Sequence, residues 1–578
     1  MSRRPALRGA SVSAAIVLGF VLFATVGAAA LPDNPELSNV ENANLKSVGY
    51  APAPKLSKEI QQVVWAQGGT RLENPSGIVT DYGFENDVSS SDDPTHPQMV
   101  PVPANNNEAQ KTEPDKNTYL VFKQGLKGPD ASYDYGTHFV FQGHEVAATV
   151  NGKKQSYITR VNLDSDAQHR VTLLATQDNK GEPIFTIDGS TWDPWAQRLI
   201  FTTESATAPT YAATPDFPST VEDVSGALGR GGYEGIQDDS DGNIWIVEDI
   251  GGGTKPGSVN SRIPNSFVFR YVPKTKGDLH NGKLQVLQVL NEAGTPITQA
   301  SQTAVNAPDQ ALLHSYGHSL DTKWITVHDT AVDGTTPFNA NTLAKAKNGT
   351  PFKRPENGLF RPGSDFKQFF FDETGDTNAT STENGDKLTG AGGSGGWGAI
   401  QKLTQSDPSA NTGKLTLFFL GNENVTGLDN NAFLSANKVT FVEDAGDTLH
   451  QQRSDDTRAH VPGVNAGFDS GWVFDVNTNY ANTNNKPIRW LAQGRDASAA
   501  IDAANGGFGK NDGDNEITGT HVSNGDPGPG GILGAKAPHL FHGGWRWFWT
   551  QQHGDNFLFE VIPAGAVSPV GDDEGDDD

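Results

Sequence analysis

Carboxylates are the side chains best supplied for chemistry in this sequence. The chain has 69 Asp and Glu residues against 43 Lys and Arg, with 14 His and no Cys. The lack of cysteine excludes disulfides, iron–sulfur clusters, thiolate metal sites and a cysteine nucleophile. Oxygen ligands select hard cations such as Ca²⁺, Mg²⁺, Mn²⁺ or Fe³⁺. The residue types therefore favour a metal centre built from carboxylates.

The acids recur in a degenerate repeat. In the typical copy an acid in a turn precedes a polar loop and an aromatic or β-branched strand that ends in Glu or Asp, whereas the copy at 516–553 has an insert and ends in Gln551-Gln552-His553. The copies span 234–249, 356–373, 429–444 and 516–553, and 198–204 matches the second half of one. Radially repeated sheets bring their innermost strands to one axis, where equivalent acids converge. Taken singly, each acid is also consistent with a turn cap.

The elements that must position these acids are short strands. From about residue 116, aromatic and β-branched runs such as Ile244–Val247 and Leu415–Phe419 alternate with Gly, Asn and Asp turns. This pattern predicts an all-β fold, a β-propeller with long loop insertions over 116–563. Residues 251–345 read as long loops with part of one blade. Residues 31–115 form an N-terminal extension with one predicted helix, because Leu56, Ile60, Val63 and Val64 share a helical face.

The two ends of the chain predict export. Arg3, Arg4 and Arg8 precede an apolar run and the small residues Ala28–Ala30, as in a cleaved signal peptide over 1–30. The spacing of the arginines favours the twin-arginine route over ordinary secretion or an uncleaved anchor. We therefore expect a secreted or periplasmic monomer without a membrane span after cleavage. Residues 564–578 predict an acidic disordered tail, and the net charge of −26 argues against nucleic-acid binding.

Several stretches resemble motifs of the PhoX family of secreted alkaline phosphatases, in colinear order over about 133–560. They are Gly143-His144-Glu145, Pro194-Trp195 with Glu204, Gly229-Arg230 with Tyr233-Glu234-Gly235, Arg354-Pro355-Glu356, Asn515-Glu516-Ile517-Thr518-Gly519 and Gln552-His553-Gly554. The resemblance implies a six-bladed β-propeller that carries calcium and iron and hydrolyses phosphomonoesters. It also implies twin-arginine export, in agreement with the N-terminus.

The resemblance implies roles for single residues. Glu204, Glu234 and Glu356 correspond to axial metal ligands, and Arg354 to the arginine that binds phosphate. The further metal ligands that we expect are Glu145, Asp188, Asp249 and Glu516. Asp188 stands where the family has a cysteine ligand of iron, so it either replaces that ligand or belongs to an ordinary Asp-Gly turn. The expected cofactor is Ca²⁺, since Fe³⁺ lacks its cysteine ligand.

The sequence thus predicts an exported, metal-dependent phosphomonoesterase that acts on small phosphoesters, with Arg354, Glu356 and Glu234 as catalytic residues. Phosphoryl transfer needs mainly positioning and charge neutralisation, which cations and one bidentate arginine can supply. Two alternatives stay open. A calcium-dependent lactonase or other esterase would need the same acids but not Arg354, and a non-catalytic calcium-binding propeller would bind metal without turnover.

Overall fold

The computed structural model describes residues 36–41, 54–76, 79–83, 112–145, 149–150, 153–154, 156–376, 395–422, 424–444, 469–493, 516–552 and 556–568. The predicted signal peptide, residues 569–578 of the predicted tail, and the motif residues Asn515, His553 and Gly554 lie outside this part of the chain.

Strands are the main regular secondary structure of the described chain. In chain order the first are β1 (Lys55–Leu56), β2 (Ile60–Ala66), β3 (Thr118–Val121), β4 (His138–His144), β5 (Thr149–Val150), β6 (Lys153–Lys154), β7 (Tyr157–Asn162), β8 (Val171–Ala175), β9 (Ile187–Asp193), β10 (Arg198–Thr203), β11 (Tyr211–Ala213), β12 (Val221–Asp223), β13 (Tyr233–Asp238) and β14 (Ile244–Glu248). The others are β15 (Val268–Pro273), β16 (Gly282–Val289), β17 (Leu320–Asp329), β18 (Gly358–Phe360), β19 (Gln368–Glu373), β20 (Ala399–Gln405), β21 (Thr412–Leu420), β22 (Leu428–Phe433), β23 (Lys438–Glu443), β24 (Ser470–Asp475), β25 (Ile488–Ala492), β26 (Glu516–Ser523), β27 (Arg546–Gln552) and β28 (Phe557–Pro563).

The described helices are short: α1 (Ser225–Leu228), α2 (Pro308–Leu313), α3 (Thr330–Asp333) and α4 (Ala340–Ala346), with 3₁₀ turns at Ala300–Gln302 and Pro529–Gly531. Most of them lie between β16 and β18, in the region expected to hold long loops. None of the described helices is long and apolar enough to cross a membrane.

The strands form antiparallel sheets in which sequence neighbours usually pair. Three four-stranded sheets have the orders β3-β4-β7-β8, β9-β10-β11-β12 and β26-β27-β28-β2. A five-stranded sheet has the order β22-β23-β24-β25-β1, and a nine-stranded sheet the order β13-β14-β15-β16-β17-β21-β20-β19-β18. In the nine-stranded sheet β17 pairs with both β16 and β21, and so joins two successive meanders. Strands β5 and β6 form a separate ribbon.

The first strand of each meander lies at the centre of the arrangement. Strands β3, β9, β13, β18, β22 and β26 contact one another in this order, and β26 contacts β3 again. The prediction of an all-β, β-propeller-like fold is therefore confirmed. Such closure leaves few exposed sheet edges.

The N-terminal segment closes this ring, and the predicted helix in it is wrong. Residues Ile60–Ala66 form β2, which pairs with β28 near the other end of the chain, and Lys55–Leu56 pairs with β25. An apolar spacing over so few residues fits a helix and a strand equally well. The backbone bonds offered by β28, almost 500 residues later, decide for the strand.

The hydrophobic core lies between adjacent sheets, in clusters rich in aromatic residues. Trp490 and Trp547, from neighbouring sheets, have ring centroids 4.3 Å apart. Trp245 of β14 packs edge-on against Phe360 of β18, with centroids 5.0 Å apart. Because a sheet in this position is covered on both faces, strands such as β14 are buried at every residue. The aromatic layers hold the central strands, and with them the acids, in fixed relative positions.

Candidate metal centre

A shared backbone irregularity places an acid near the start of several central strands. In β13 the ladder pairs Tyr233 with Glu248 and then Ile236 with Ile246, so that Glu234 and the glycine after it bulge out of the ladder. The register shifts in the same way at Asp188 in β9 and at Asp429 in β22. A β-bulge re-aims side chains, and such bulges are common next to functional sites.

Glycine after the acid lets adjacent central strands approach closely. A Cβ atom at Gly189 would lie 1.9 Å from the backbone oxygen of Glu234, and one at Gly235 would lie 2.8 Å from that of Glu356. Gly235 N also donates to Glu356 O at 2.6 Å. The pairing of an acid with a following glycine therefore brings acids of neighbouring sheets together. Asp188 is a residue of β9 and not part of an ordinary tight turn.

Seven carboxylates form a continuous row across three central strands and their neighbours. They fall into three groups whose ligand atoms lie within 4.8 Å of one another: Asp115 with Glu145 and Asp188, Asp188 with Glu204 and Glu234, and Glu234 with Asp249 and Glu356. Asp188 and Glu234 each belong to two groups. We call these seven residues the carboxylate row. Sharing of ligands between adjacent groups is the arrangement expected of neighbouring cations bridged by carboxylates.

Burial and mutual repulsion disfavour the charged forms of the two shared acids. Burial, then repulsion from Asp115, raises the pKa of Asp188 well above its usual range. Burial, then repulsion from Asp188 and Glu356, does the same to the pKa of Glu234. Their side chains share a hydrogen bond. Asp188 Oδ1 is buried and has no hydrogen-bond partner among the described residues.

The ends of the row have different surroundings. Burial and the nearby Glu204 raise the pKa of Glu145, whose Oε1 accepts a bond of 2.6 Å from Gln552 Nε2. Burial and repulsion from Asp249 raise the pKa of Glu356, which is 5% exposed. Glu204 is exposed, so the row opens to solvent at this residue, whereas the side chain of Asp249 is only 6% exposed.

Arg354 lies at the Glu356 end of the row. Its Nε donates to both oxygens of Asp249 at 2.9 and 3.0 Å, and its Nη2 lies 2.6 Å from Asp249 Oδ2 and 3.7 Å from Glu356 Oε1. Burial disfavours its charge, but these two carboxylates outweigh burial and raise the pKa of Arg354 well above its usual value. Its φ of 57° is uncommon for a residue other than glycine and costs of order 1 kcal/mol. A strained backbone thus holds a permanently charged guanidinium, 36% exposed, against the row.

The structure brings together six of the seven predicted metal ligands. These are Glu145, Asp188, Glu204, Glu234, Asp249 and Glu356. The seventh, Glu516, begins β26 and is close enough to raise the pKa of Glu145, but it belongs to none of the three groups of described carboxylates. Asp115 is the carboxylate of the row that sequence reasoning missed. It lies just before the Thr118–Val121 strand, one residue outside the predicted propeller domain.

Neighbouring motif residues have structural roles. His144 is buried, and its two ring nitrogens lie 3.2 Å from Thr112 Oγ1 and 2.9 Å from Thr159 Oγ1. Its ring stacks on Tyr157 with centroids 4.1 Å apart, and burial lowers its pKa. His144 therefore fixes β4 and β7 so that the next residue, Glu145, reaches the row.

Comparisons with known proteins assign no family to this chain. No family model matches it, and no curated protein matches it. Among solved structures, the GH43_1 enzyme from Xanthomonas citri complexed with xylotriose has 10% identity and a TM-score of 0.27, covering 58% of this chain and 82% of that one. A fungal alcohol oxidase of the AA5 family, in complex with copper, has 12% identity and a TM-score of 0.30, covering 78% and 76%. Chaetomium thermophilum Sqt1 has 10% identity and a TM-score of 0.29, covering 78% and 97%.

Proposed function

We propose that this protein is an exported, metal-dependent phosphomonoesterase of the PhoX type. The observation that carries the proposal is the row of seven carboxylates in groups that share ligands, with a charged arginine at one end. Cations beside an arginine are the combination that phosphoryl transfer requires, because its charge spreads over several oxygens. The described sheets agree with the propeller that the sequence resemblance implies.

We further propose that the propeller has six blades. The nine-stranded sheet would then count as two blades, β13–β16 and β18–β21, joined through β17. Support comes from the ring of six central strands, of which β13 and β18 are consecutive members. On this reading β2 is the outermost strand of the last blade, supplied by the N-terminal segment.

The donor atoms fit a hard cation. Every ligand atom in the row is a carboxylate oxygen, and Asp188 Oδ1 is a buried acceptor without a donor in the described part of the chain. Ca²⁺ takes six to eight such oxygens in flexible geometry, so it is the cation that we propose for the three groups. Iron held by a thiolate does not fit, because the chain has no cysteine and Asp188 stands at the corresponding position. When bound, the cations would supply charge neutralisation to a phosphoryl group.

The side chains of the row would then have different roles. Asp188 and Glu234, which each belong to two groups, and Glu356, at the Arg354 end of the row, would help to hold the cations. The Arg354 guanidinium has the planar fork that matches two phosphate oxygens, and it is partly exposed. We propose that a phosphoester competes with Asp249 for this fork, which would free a carboxylate oxygen of Asp249 for metal.

Paired ester assays test the proposal. Purified full-length protein, prepared without chelators and analysed for metal, is assayed with p-nitrophenyl phosphate and with p-nitrophenyl acetate. We expect phosphate release that is lost on chelation and restored by Ca²⁺. Turnover of the acetate alone would replace the proposal with a calcium-dependent esterase or lactonase, and bound metal without turnover would leave a non-catalytic calcium-binding propeller.

Matched variants connect the activity to the row. Glu234→Gln and Glu356→Gln keep the side-chain size but remove the charge that a hard cation needs, so both should abolish turnover and lower bound metal. Glu222→Gln, at an exposed glutamate of β12, is the matched control and should leave both unchanged. Full metal content and full turnover in both row variants would refute the proposed metal centre.

A further inference from the structure

Strands β9, β13 and β22 each carry an acid at the bulge near their start. In the sheet β3-β4-β7-β8, Lys116 holds the equivalent position. Asp115 N donates to Gly143 O at 3.1 Å, and Thr118 pairs with Phe141. Two residues therefore bulge out of the ladder between these points, as in β9, and the first of them is Lys116. A cation thus replaces one of the acids that the repeat directs toward the axis.

The ammonium group of Lys116 reaches across the axis to two other sheets. Its Nζ donates to Asn357 Oδ1 at 3.1 Å, just before β18, and to Asn430 Oδ1 at 2.7 Å, in β22. The residue is 4% exposed. Both acceptors are amide oxygens, a ligand type that Ca²⁺ also takes. The ammonium is therefore bound by oxygens in the way that a free cation would be.

Two further buried acids lie beside this ammonium. Both oxygens of Asp429 accept from Asn430 Nδ2, at 2.8 and 2.9 Å. Asp372 Oδ1 accepts from Asn357 N at 3.1 Å and from Asn431 Nδ2 at 3.0 Å. Asp372 Oδ2 is buried, and no residue in the described part of the chain donates a hydrogen bond to it. Oxygen ligands thus continue past the carboxylate row, on the side of the axis where Lys116 lies.

The charges around Lys116 separate this side from the row. Burial lowers the pKa of Lys116, and the carboxylates that oppose this by attracting its ammonium are those of Asp429, Asp115, Asp372 and Asp188. Asp115 and Asp188 belong to the row, whereas Asp372 and Asp429 belong to none of its three groups. A buried carboxylate is costly without a compensating charge. Lys116 supplies that charge to Asp372 and Asp429.

We propose that Lys116 is a tethered cation that occupies a position which would otherwise bind a metal ion. Its ammonium is bound by the amide oxygens of Asn357 and Asn430 and attracted by the buried carboxylates of Asp429 and Asp372, and so confines metal binding to the row from Glu145 to Glu356. Lys116 thereby sets how many cations the protein holds. The inference rests on the metal centre of the proposed function, but not on the reaction that this centre catalyses.

Counting cations in Lys116→Met tests the inference, since methionine fills much of the lysine volume without its charge. Full-length parent and variant are saturated with Ca²⁺, freed of excess metal and analysed for metal per chain. We expect one more Ca²⁺ per chain in the variant than in the parent. We also expect the midpoint of thermal unfolding of the variant to rise more steeply with Ca²⁺ concentration. Equal metal content and equal Ca²⁺ dependence would overturn the inference.

A second variant covers the case in which Lys116→Met does not fold. Lys116→Met combined with Asp429→Asn removes one charge of each sign, and should fold with the metal content of the parent. If the double variant also gains a Ca²⁺, or if neither variant folds at any Ca²⁺ concentration, the inference is wrong. It is wrong too if only the double variant folds, because Ca²⁺ then fails to substitute for the ammonium.

These outcomes are separable from those of the proposed function. The readout is the difference in metal content between variant and parent, so a parent without phosphatase activity leaves it intact. Conversely, an unchanged metal count in Lys116→Met leaves the phosphatase proposal standing.

Discussion

Two kinds of buried acid lie within a few residues of each other in this fold. The strand-end glutamates Glu248, Glu373 and Glu443 accept backbone N–H groups. Glu248 Oε2 accepts from Phe267 N at 3.1 Å, Glu373 Oε2 from Lys353 N at 2.7 Å, and Glu443 from Thr426 N and Ser470 N at 3.1 and 2.9 Å. The row acids bond instead to other side chains: Asp188 to Glu234, Glu145 to Gln552, and Asp249 to Arg354.

The difference shows how one residue type serves two purposes. Glu248 and Asp249 are adjacent, and successive side chains at a strand end point in opposite directions. Glu248 caps the sheet from within, whereas Asp249 reaches the row. An acid whose oxygens are bonded to backbone N–H groups stabilises its own strand connection. An acid that faces other acids has no such compensation and gains most from a cation.

Removing the cations should expose this contrast most strongly. Burial and mutual repulsion raise the pKa of Glu145, Asp188, Glu234 and Glu356, so the folded metal-free protein holds more protons than the unfolded chain. Stability of the chelated protein should therefore fall as pH rises from the ordinary carboxyl pKa of about 4. Bound Ca²⁺ stabilises the charged forms and should reverse the trend.

Thermal unfolding at pH 5.5 and pH 8, each with EDTA and with Ca²⁺, measures this effect. We expect the chelated protein to unfold several degrees lower at pH 8, and Ca²⁺ to raise the midpoint more at pH 8 than at pH 5.5. If the chelated protein is equally stable at both pH values and does not respond to Ca²⁺, the row acids are structural acids of the same kind as Glu248, Glu373 and Glu443.

The variant Asp188→Asn should have the next largest effect. Asparagine is nearly isosteric but neutral, and Asp188 belongs to two of the three carboxylate groups. We expect lower metal content and a turnover reduced by at least about tenfold, or 1.4 kcal/mol. A carboxylate also gives iron no intense thiolate colour, so the protein should be pale as isolated. A strongly coloured protein, or a variant with unchanged metal and rate, would return Asp188 to a structural role.

The sequence predicted six acids of the row through the strand repeat and the motif resemblance, and only two of these acids are followed by glycine. Glu234 and Asp188 are each followed by the glycine that close strand approach requires, which makes these positions readable locally. Asp115 was missed because Lys116 follows it and the usual acid is absent. The bulges shift which residues face the axis. Alternation alone therefore could not predict that Asp249, and not Glu248, reaches the row.

The sequence predicted the all-β class of the fold, but not the strand pairs that close the ring and join the meanders. Aromatic and β-branched runs between turns identify strands from local pattern. Strand β2 depends on a partner that begins at Phe557, and no local pattern reports such a partner. The same reason explains β17, which joins two meanders through pairs with β16 and β21.

Arg354→Lys should have a smaller effect than loss of a row acid. A lysine keeps the positive charge beside Asp249 and Glu356 but not the two parallel N–H donors that the guanidinium presents. We expect the fold and metal content to persist, while kcat/KM for p-nitrophenyl phosphate falls about tenfold and inhibition by phosphate and vanadate weakens. If the variant instead loses thermal stability and keeps the inhibition of the parent, Arg354 serves only to join the two meanders of the nine-stranded sheet through Asp249.

The smallest effect should come from Glu248→Gln, the neighbour of a row residue. Burial raises the pKa of Glu248 to about 8, so at neutral pH it is largely uncharged and glutamine resembles that form. In the parent this acid contributes stability at low pH that is lost as pH rises from about 4.5 to about 8, because the folded state binds its proton more tightly. The variant should lose the contribution of Glu248 to the pH dependence of the free energy of unfolding. At pH 7 this free energy should change by about 1 kcal/mol or less. Its metal content and turnover should equal those of the parent, whereas Asp249→Asn, one residue further on, should lower bound metal. Equal loss of metal in the two variants would show that caps and row acids are not distinct.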